Sequence, residues 1–384
     1  MNNDGKNIMN KLIRKNIFPQ GLAFGDNFCN RLNERKYLQN NVRSIRPTLI
    51  MSPRRYGKTS LVLYVLNELK IPFAHIDLYS EIDEAEVQNS ILSAIGDILY
   101  SIESTPKKAL KFVTDFFSSL SVSFTIENTQ IKVQFSKSKK SPAKNILDSL
   151  KKLENVLQSK GKTVVFFIDE FQRLAQITES TTIEGSLRHI AQGSKNIMFI
   201  FSGSNRHLLS RMFDDKNKPF YKLCDRIILD RISKDDYIPF IQDKTKKQWG
   251  NMLSKEVIEQ ILDTTANHPY YVNVLCHKLW LLSDLPSTRD VEDAWQQCAL
   301  EEKTNILDEI DLLSTNQAKM LIAIAKYGES ILPMSKEFLA LTNFSLSSAS
   351  QSVQVLKKRD YLYLDSGNKY RIVDPLIKYI FTQK

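Results

Sequence analysis

The order of hydrophobic and polar positions changes character along the chain of 384 residues. In the first part, short apolar runs alternate with helix-length stretches in which apolar residues recur at helical spacing. The apolar runs lie at residues 47–51, 72–80, 163–169 and 196–204, and residues 225–233 are expected to form the last core strand. An uninterrupted run such as "VVFFID" is typical of a parallel strand that is buried on both faces. The pattern therefore predicts an α/β fold built on a parallel β-sheet between helices.

Three other regions show different patterns. Residues 121–137 alternate polar and apolar positions on both sides of "ENTQ", which predicts a two-stranded hairpin inserted in the core. Residues 233–303 have helical periodicity with few strand signals and predict a helical lid. From residue 312, three helix-length stretches precede the alternating segment "DYLYLDSGNKYRIVD" and a last amphipathic stretch. Three helices followed by a hairpin with a tight turn at residues 365–368 predict a winged-helix domain over residues 312–384.

The segment "SPRRYGKTSL" follows the first apolar run and opens a helix-length stretch. It matches the phosphate-binding loop G-x-x-x-x-G-K-[ST] except at Ser52, where the pattern has glycine. Only Gly57 must lack a side chain, because its backbone approaches the phosphates, whereas a serine with negative φ can make the first turn. The residues expected to bind the nucleotide here are Ser52, Pro53, Arg54, Arg55, Tyr56, Gly57, Lys58, Thr59 and Ser60. Lys58 is expected to reach the β and γ phosphates, and the Thr59 hydroxyl to bind Mg²⁺.

A strand that ends in carboxylates supplies the expected partner of this loop. Asp169 stands at the end of the buried run and Glu170 follows it. Open α/β sheets bind ligands at the carboxyl ends of their strands. We therefore expect Asp169 to hold Mg²⁺ through water, and Glu170 to polarise the water that attacks the γ-phosphate. The next run ends in Ser202 and Ser204, which are candidates for sensing the γ-phosphate; ordinary loop serines are the alternative.

Composition narrows the class of protein. A hydrophobic content of 42% without an apolar run of membrane length argues against a membrane-spanning helix. The first 18 residues lack the apolar core of a signal peptide, so a cytoplasmic protein is expected. The cysteines Cys29, Cys224, Cys276 and Cys298 are scattered along the chain. Their spacing indicates neither a disulfide framework nor a zinc site.

The net charge of +10 is unevenly distributed. Residues 105–162 contain 12 basic and 4 acidic residues, and residues 312–384 contain 10 and 5. Such regions can bind nucleic acid or another acidic partner, and solvated lysine surfaces are the alternative. The third helix of a winged helix enters the DNA major groove, where it would present Ser347, Ser348, Gln351 and Gln354. The basic residues that would contact phosphates are Lys137, Lys139, Lys140, Lys357, Lys358 and Arg359.

With these elements in place, the chain resembles, over nearly its whole length, the archaeal-type P-loop ATPases of the AAA+ and STAND group. Four stretches carry the resemblance: "FCNRLNERKYL", "SPRRYGKTSL", "FFIDEFQRL" and "ANHPYYVNVLCHKLW". The first corresponds to the family's N-terminal Phe-x-Gly-Arg-Glu element and the last to its Gly-x-Pro motif in the lid. Asn30 and Asn267 replace the glycines of these two motifs. Some members of the group carry serine at the position of Ser52.

The resemblance implies a five-stranded parallel sheet, a helical lid and a C-terminal winged helix. It implies that residues 1–46 contact the nucleotide base through Phe28 and Arg31, that residues 47–232 form the ATPase core, and that Pro269 senses the nucleotide. Members of the group usually complete their site with an arginine from a neighbouring subunit, which implies a homo-oligomer. The matching region offers Arg206, Arg211 and Arg226, and surface arginines are the alternative.

These expectations combine into an Mg²⁺-dependent ATPase that hydrolyses ATP to ADP and phosphate with Glu170, Lys58, Ser204 and Arg211. Its nucleotide state would switch the lid and the winged helix between conformations, with double-stranded DNA as one candidate partner. The alternative is a slow ATP-gated regulator or scaffold whose winged helix binds a separate effector protein. The sequence leaves the choice between these functions open.

Overall fold

The computed structural model describes residues 17–118, 122–127, 130–135, 141–177, 182–327, 332–364 and 369–383. The chain divides into two compact units. The core unit comprises residues 31–54 and 58–229, and the lid unit comprises the described residues up to Asn30, residues 55–57 and residues from 230 onward. Each unit has a hydrophobic core of its own.

The core unit contains a five-stranded parallel sheet, as the resemblance predicts. Its strands, with those of a separate hairpin, are β1 (Thr48–Met51), β2 (Phe73–Asp77), β3 (Val122–Glu127), β4 (Gln130–Phe135), β5 (Val164–Asp169), β6 (Ile197–Gly203) and β7 (Asp225–Ile228). The strand order in the sheet is β2-β5-β6-β1-β7. β6 therefore lies between β1 and β5, and the carboxyl ends of these three strands meet at one edge of the sheet.

Helices cover the sheet of the core unit. They are α1 (Leu32–Arg43), α2 (Lys58–Leu69), α3 (Glu84–Ser101), α4 (Pro106–Phe117), α5 (Pro142–Lys160), α6 (Leu174–Ile177), α7 (Thr182–Gly193) and α8 (Arg206–Asp214). Every residue of β5 and β6 is buried, which explains why both strands are apolar without interruption. Phe166 and Phe199, for example, stack with ring centroids 5.6 Å apart. Complete burial of such a side chain stabilises the fold by about 1.5–3 kcal/mol.

Strands β3 and β4 pair as an antiparallel hairpin. The hairpin packs on α3 through Ile131, whose side chain would lie 2.8 Å from a Cβ added at Gly96. The backbone N–H of Ile131 also donates to the carboxylate of Asp97 at 2.8 Å. The hairpin is thus attached to the core unit at its second strand. Three lysines that were expected to contact phosphates, Lys137, Lys139 and Lys140, lie outside the described residues.

The lid unit begins with the N-terminal segment and continues with four helices. These are α9 (Lys234–Trp249), α10 (Lys255–Thr264), α11 (Pro269–Leu279) and α12 (Thr288–Asp311). Phe18 is buried against Trp280, with ring centroids 4.6 Å apart. The buried ammonium of Lys244 donates to the carbonyl of Asp26 at 2.5 Å and to the side-chain oxygen of Asn27 at 3.4 Å. These contacts attach residues 17–30 to the lid helices.

The C-terminal part of the lid unit is a winged helix, as predicted. It consists of α13 (Thr315–Tyr327), α14 (Lys336–Thr342), α15 (Leu346–Lys358), β8 (Leu362–Leu364), β9 (Tyr370–Ile372) and α16 (Pro375–Thr382). β8 and β9 are antiparallel, and the expected turn at residues 365–368 lies outside the described residues. Arg359 at the end of α15 donates to the carbonyl of Leu312 at 3.2 Å. Within the described ranges, every helix is too short or too polar to cross a membrane.

Candidate functional site

The loop between β1 and α2 has the backbone of a phosphate-binding loop. Gly57 adopts a φ of +85°, a conformation that residues with side chains rarely adopt. The φ of Ser52 is not positive, so serine takes the place of glycine there without backbone strain. The buried Ser52 hydroxyl donates to the carbonyl of Pro53 at 3.0 Å. Because α2 begins at Lys58, the N–H groups of its first turn lie next to the loop, where the start of a helix can bind phosphate.

Lys58 is held inside this loop. Its ammonium is buried and donates to the carbonyls of Ser52 at 3.2 Å and Pro53 at 3.1 Å. A phosphate oxygen can replace either carbonyl as the acceptor, so the ammonium is already in place for an anion. Among the other loop residues, Ser60 is buried in the first turn of α2 and Arg54 is exposed.

Asp169, at the end of β5, accepts hydrogen bonds from several directions. The Thr59 hydroxyl donates to Oδ2 at 2.6 Å, and the Ser202 hydroxyl and the Glu170 N–H donate to Oδ1. His75 on β2 lies 3.8 Å from Oδ2. Burial raises the pKa of Asp169, but these hydrogen bonds outweigh burial and hold the pKa well below its usual range. Sequence reasoning missed His75, because its approach to Asp169 depends on the pairing of β2 with β5.

The oxygens of Thr59 and Asp169 fit a magnesium ion. Mg²⁺ prefers oxygen ligands and usually binds one or two protein groups together with substrate phosphates and water. Thr59 offers a hydroxyl, and the lowered pKa of Asp169 keeps its carboxylate ionised. In the described ranges, no group of three or more His, Cys, Asp or Glu side chains is arranged to hold a metal ion. The four cysteines form no disulfide.

Glu170 is strained and tightly hydrogen-bonded. Its backbone is left-handed, with φ of +50° and ψ of +39°, which costs a residue with a side chain about 1–2 kcal/mol. Its Oε2 accepts from the Ser204 hydroxyl at 3.0 Å and from the Gln172 amide. Sequence reasoning missed Gln172, although it stands within the motif "FFIDEFQRL". Strain of this kind is found most often at functional positions, where the surrounding structure enforces it.

The three arginines that were candidates for acting on a neighbouring subunit differ in their contacts. Arg226 forms a salt bridge with Asp214 and donates to the carbonyl of Phe213, so its guanidinium is engaged within the chain. Arg206, the first residue of α8, is half-buried and also interacts with another group of the chain. Arg211 is exposed on α8 and has no ion pair or hydrogen bond within the described part of the chain. Arg211 remains the strongest candidate of the three.

Both asparagines that replace family glycines adopt the backbone conformation that glycine favours. The φ angle is +45° at Asn30 and +58° at Asn267. Asparagine tolerates the left-handed region better than most residues, so these replacements preserve the turns of both motifs. The two residues expected to contact the base are partly covered: Phe28 is half-buried, and Arg31 is buried and pairs with Glu34 at 3.3 Å.

The lid motif and the phosphate-binding loop meet in the lid unit, which includes residues 55–57. Pro269 is the first residue of α11, and the His268 Nδ1 atom caps this helix by accepting from the Tyr270 N–H at 3.2 Å. Burial, together with nearby arginines, lowers the pKa of His268 to about 3, so the imidazole is neutral. The buried Tyr56 ring lies edge-on to this imidazole, with centroids 4.7 Å apart. The side chain of Tyr56 therefore packs against the lid motif.

Arg231 connects Tyr56 to two other parts of the lid unit. Its Nε donates to the Tyr56 hydroxyl at 3.4 Å, and its Nη1 donates to the carbonyl of Ala266 at 3.0 Å. Its Nη2 donates to the carbonyls of Ile372 at 2.9 Å and Val373 at 3.1 Å, at the end of β9. The sequence did not indicate Arg231 as a functional residue. Three of its four acceptors are backbone carbonyls, which every residue type carries.

Comparisons with known proteins bear on the family and the fold of the chain. The model of an ATPase domain predominantly from Archaea matches residues 28–275, and that of a probable winged helix domain matches residues 307–383. The Walker-type ATPase PABY2304 of Pyrococcus abyssi has a similar structure, with a TM-score of 0.68, 20% identity, and coverage of 95% of this chain and 99% of that chain. The ORC2 protein of Aeropyrum pernix, solved as ADPNP-ADP complexes, has a TM-score of 0.59, 13% identity, and coverage of 96% and 97%. No curated protein was found to match the sequence. At these identities the structures show a shared fold, and the predicted α/β fold with a five-stranded parallel sheet and a C-terminal winged helix is confirmed.

Proposed function

The chain belongs to the family of ATPase domains found predominantly in Archaea, and from this premise we propose that it binds ATP with Mg²⁺ and hydrolyses it to ADP and phosphate. One observation carries the proposal: a hydrogen bond joins the end of the phosphate-binding loop to the carboxylate at the end of β5. Thr59 donates to Asp169, and the adjacent Glu170 accepts from Ser204. A cytoplasmic location and a homo-oligomer with Arg211 acting in trans remain predictions.

The position of each residue supports a separate role. The loop N–H groups and the Lys58 ammonium bind the phosphates. Thr59 and Asp169 would hold Mg²⁺, which neutralises charge on the β and γ phosphates when bound. Glu170 takes a proton from the attacking water as general base. The Ser204 hydroxyl, which donates a hydrogen bond to Oε2 of Glu170 in this structure, would donate it to the γ-phosphate when ATP is bound. Together these residues bind ATP, orient it and activate the water.

We extend the proposal to nucleotide-dependent switching of the lid and the winged helix. Tyr56 immediately precedes Gly57, so a shift of the loop on binding phosphate displaces the Tyr56 side chain. Arg231 bonds at once to Tyr56, to the turn before α11, and to the end of β9 in the winged helix. One guanidinium makes all these bonds. A movement of Tyr56 that breaks its bond to Arg231 therefore also shifts the bonds of Arg231 to the turn before α11 and to the end of β9.

A second series of contacts also begins at the phosphate-binding loop and ends just after β9. The Arg55 guanidinium lies 4.2 Å from the centroid of the Tyr270 ring, which packs edge-on against Tyr271. The Tyr271 hydroxyl donates to the Asp374 carboxylate at 2.5 Å, just after β9. Two series of contacts within the lid unit thus lead from loop residues 55 and 56 to the winged helix.

The Arg231 contacts can be tested with Arg231→Met, which keeps a long side chain and removes all four hydrogen bonds. In the wild type, we expect ATP to change the rate of limited proteolysis at the junction of the lid and the winged helix. In the variant, we expect the junction to be cleaved at least about tenfold faster without nucleotide, and ATP to change the rate little. ATP affinity should stay within about threefold of the wild type, because Arg231 binds no phosphate in this proposal.

Arg289→Met is the matched control, because this arginine lies on α12 of the same unit and its side chain is 88% exposed. It should behave as the wild type. If ATP leaves the proteolysis of the wild type unchanged, or if Arg231→Met still responds to ATP as the wild type does, switching through Arg231 is wrong. ATP hydrolysis would remain a separate question.

The exposed face of α15 favours double-stranded DNA as a partner. Ser347, Gln351, Gln354 and Lys358 are all exposed and follow one another at helical spacing. Serine and glutamine side chains can bond to base edges, and lysine to phosphates. Arg359 was also expected to contact phosphate, but its bond to the Leu312 carbonyl gives it a structural role as well. We therefore rest the DNA proposal on the other residues of this face.

DNA binding should depend strongly on salt. Replacing both Lys357 and Lys358 by alanine should weaken duplex binding about tenfold at low salt and make the plot of log affinity against log salt shallower by about 1.8 units. The measurement is fluorescence anisotropy with labelled duplex at several salt concentrations, with and without ATP. Alanine at Lys319 and Lys326, two exposed lysines of α13, is the control. If the wild type binds no duplex at low salt, DNA is excluded and an ATP-gated regulator with a protein partner is favoured instead.

A further inference from the structure

Gln172 contacts the proposed general base and has no role in the mechanism described so far. It lies in the 3₁₀ turn Phe171–Arg173 that follows Glu170, and it is 5% exposed. Its amide nitrogen donates to Oε2 of Glu170, the oxygen that also accepts from Ser204. No donor to Oε1 of Glu170 is present among the residues that the structure describes. Two donors therefore hold one oxygen of the carboxylate, and the other oxygen remains available.

The amide of Gln172 is enclosed, but only its nitrogen is bonded, since the buried Oε1 has no hydrogen-bond partner among the described residues. Phe171 is fully buried, with its ring 4.4 Å from that of Phe201, which anchors the turn to β6. A Cβ added to Gly203 would lie 1.9 Å from Oε1 of Gln172 and 3.1 Å from the Leu209 side chain, so a larger residue at this point of β6 would push the Gln172 amide out of its present position. The φ of Gly203 is not positive, so the disturbance from a larger residue would come from this contact and not from backbone conformation. The orientation of the amide follows from chemistry, because a carboxylate only accepts and must face the NH₂ group.

Ser204 cannot hold Glu170 throughout the reaction. A serine hydroxyl has a single hydrogen to donate. In the proposed mechanism, the Ser204 hydroxyl stops donating its hydrogen bond to Glu170 when ATP binds and donates it to the γ-phosphate instead. The Gln172 amide then remains the donor that keeps the carboxylate in its orientation, at the stage when orientation matters for the reaction.

We propose that Gln172 is a positioning residue for ATP hydrolysis, which fixes Oε2 of Glu170 so that Oε1 faces the attacking water. The inference rests on the proposed ATPase function. The water oxygen bonds to the γ-phosphorus while its proton passes to Oε1 of Glu170. The bond between the γ-phosphorus and the bridging oxygen breaks, and its electron pair leaves with ADP. Gln172 exchanges no proton and acts only through Glu170.

The test is Gln172→Met, which keeps the length and volume of the side chain and removes the donor. We expect kcat to fall about tenfold, the effect of losing one hydrogen bond to a charged group, with KM for ATP and the melting temperature nearly unchanged. Gln176→Met is the matched control, since Gln176 is exposed a few residues further along the chain. Its turnover should equal that of the wild type.

A double-mutant cycle separates positioning from a structural role. Single-turnover rates are measured for the wild type, Glu170→Gln, Gln172→Met and the double variant. If Gln172 acts through Glu170, adding Gln172→Met to Glu170→Gln lowers the rate no further. An equal loss in both backgrounds, or a wild-type rate for Gln172→Met, overturns the inference even if Glu170→Gln is inactive. Normal turnover by Glu170→Gln would instead contradict the proposed function itself.

Discussion

Replacing Glu170 by glutamine is expected to give a protein that binds ATP and turns it over at least about 100-fold more slowly than the wild type. The amide keeps the size of the side chain but cannot accept a proton from water, and general-base catalysis contributes about 10²–10⁴-fold. ATP affinity should stay within about threefold, because Glu170 bonds to Ser204 and Gln172 and to no group of the phosphate-binding loop among the described residues. The measurements are phosphate release at saturating ATP and equilibrium binding of a fluorescent ATP analogue.

The control for this variant is Glu256→Gln, at an exposed position in the first turn of α10. Both variants lose one negative charge, so a general electrostatic effect would slow both. Glu170 is assigned correctly only if the loss is confined to its own variant. Turnover by Glu170→Gln within a fewfold of the wild type would exclude Glu170 as the base.

Replacing Lys58 by alanine should weaken ATP binding about 100-fold, which corresponds to about 2.7 kcal/mol. The variant removes the buried ammonium that is already held by the carbonyls of Ser52 and Pro53. It also leaves these carbonyls without the donor and removes a positive charge from the phosphate site. Calorimetric titration with ATP and Mg²⁺ gives the affinity, and turnover should fall with it.

Two further variants show whether the loss of ATP affinity comes from the charge of Lys58. Lys151→Ala removes an exposed lysine from α5 and should leave ATP affinity unchanged. Lys58→Met keeps the stem of the side chain and should weaken ATP binding as much as Lys58→Ala, because the charge is what binds phosphate. If Lys58→Met binds ATP like the wild type, then the ammonium of Lys58 is not a phosphate ligand and the proposed orientation of ATP in the loop is wrong.

The sequence determined the fold class because both of its main signals are local. The uninterrupted apolar runs of β5 and β6 follow directly from strands that are buried at every position. The loop motif likewise records a local backbone requirement, since Gly57 needs a positive φ and Ser52 does not. For the same reason, the departures at Asn30 and Asn267 keep the turns of their motifs, because asparagine tolerates the conformation that both positions adopt.

Only the tertiary structure decided which side chains meet. The strand order places β6 beside β5, which brings Ser202 to Asp169 and Ser204 to Glu170 over a separation of more than thirty residues in the chain. His75 reaches the site only because β2 pairs with β5. Such pairings depend on distant segments, and no local periodicity encodes them.

The remaining contacts were invisible in the sequence for a different reason. Arg231 binds carbonyls at Ala266, Ile372 and Val373, and every residue type carries a carbonyl, so no motif records these acceptors. Gln172 lies beside Gly203 only because β5 pairs with β6, so the sequence alone did not place it there. The sequence thus determined the elements and the chemical groups, whereas packing of distant segments decided which groups share a hydrogen bond.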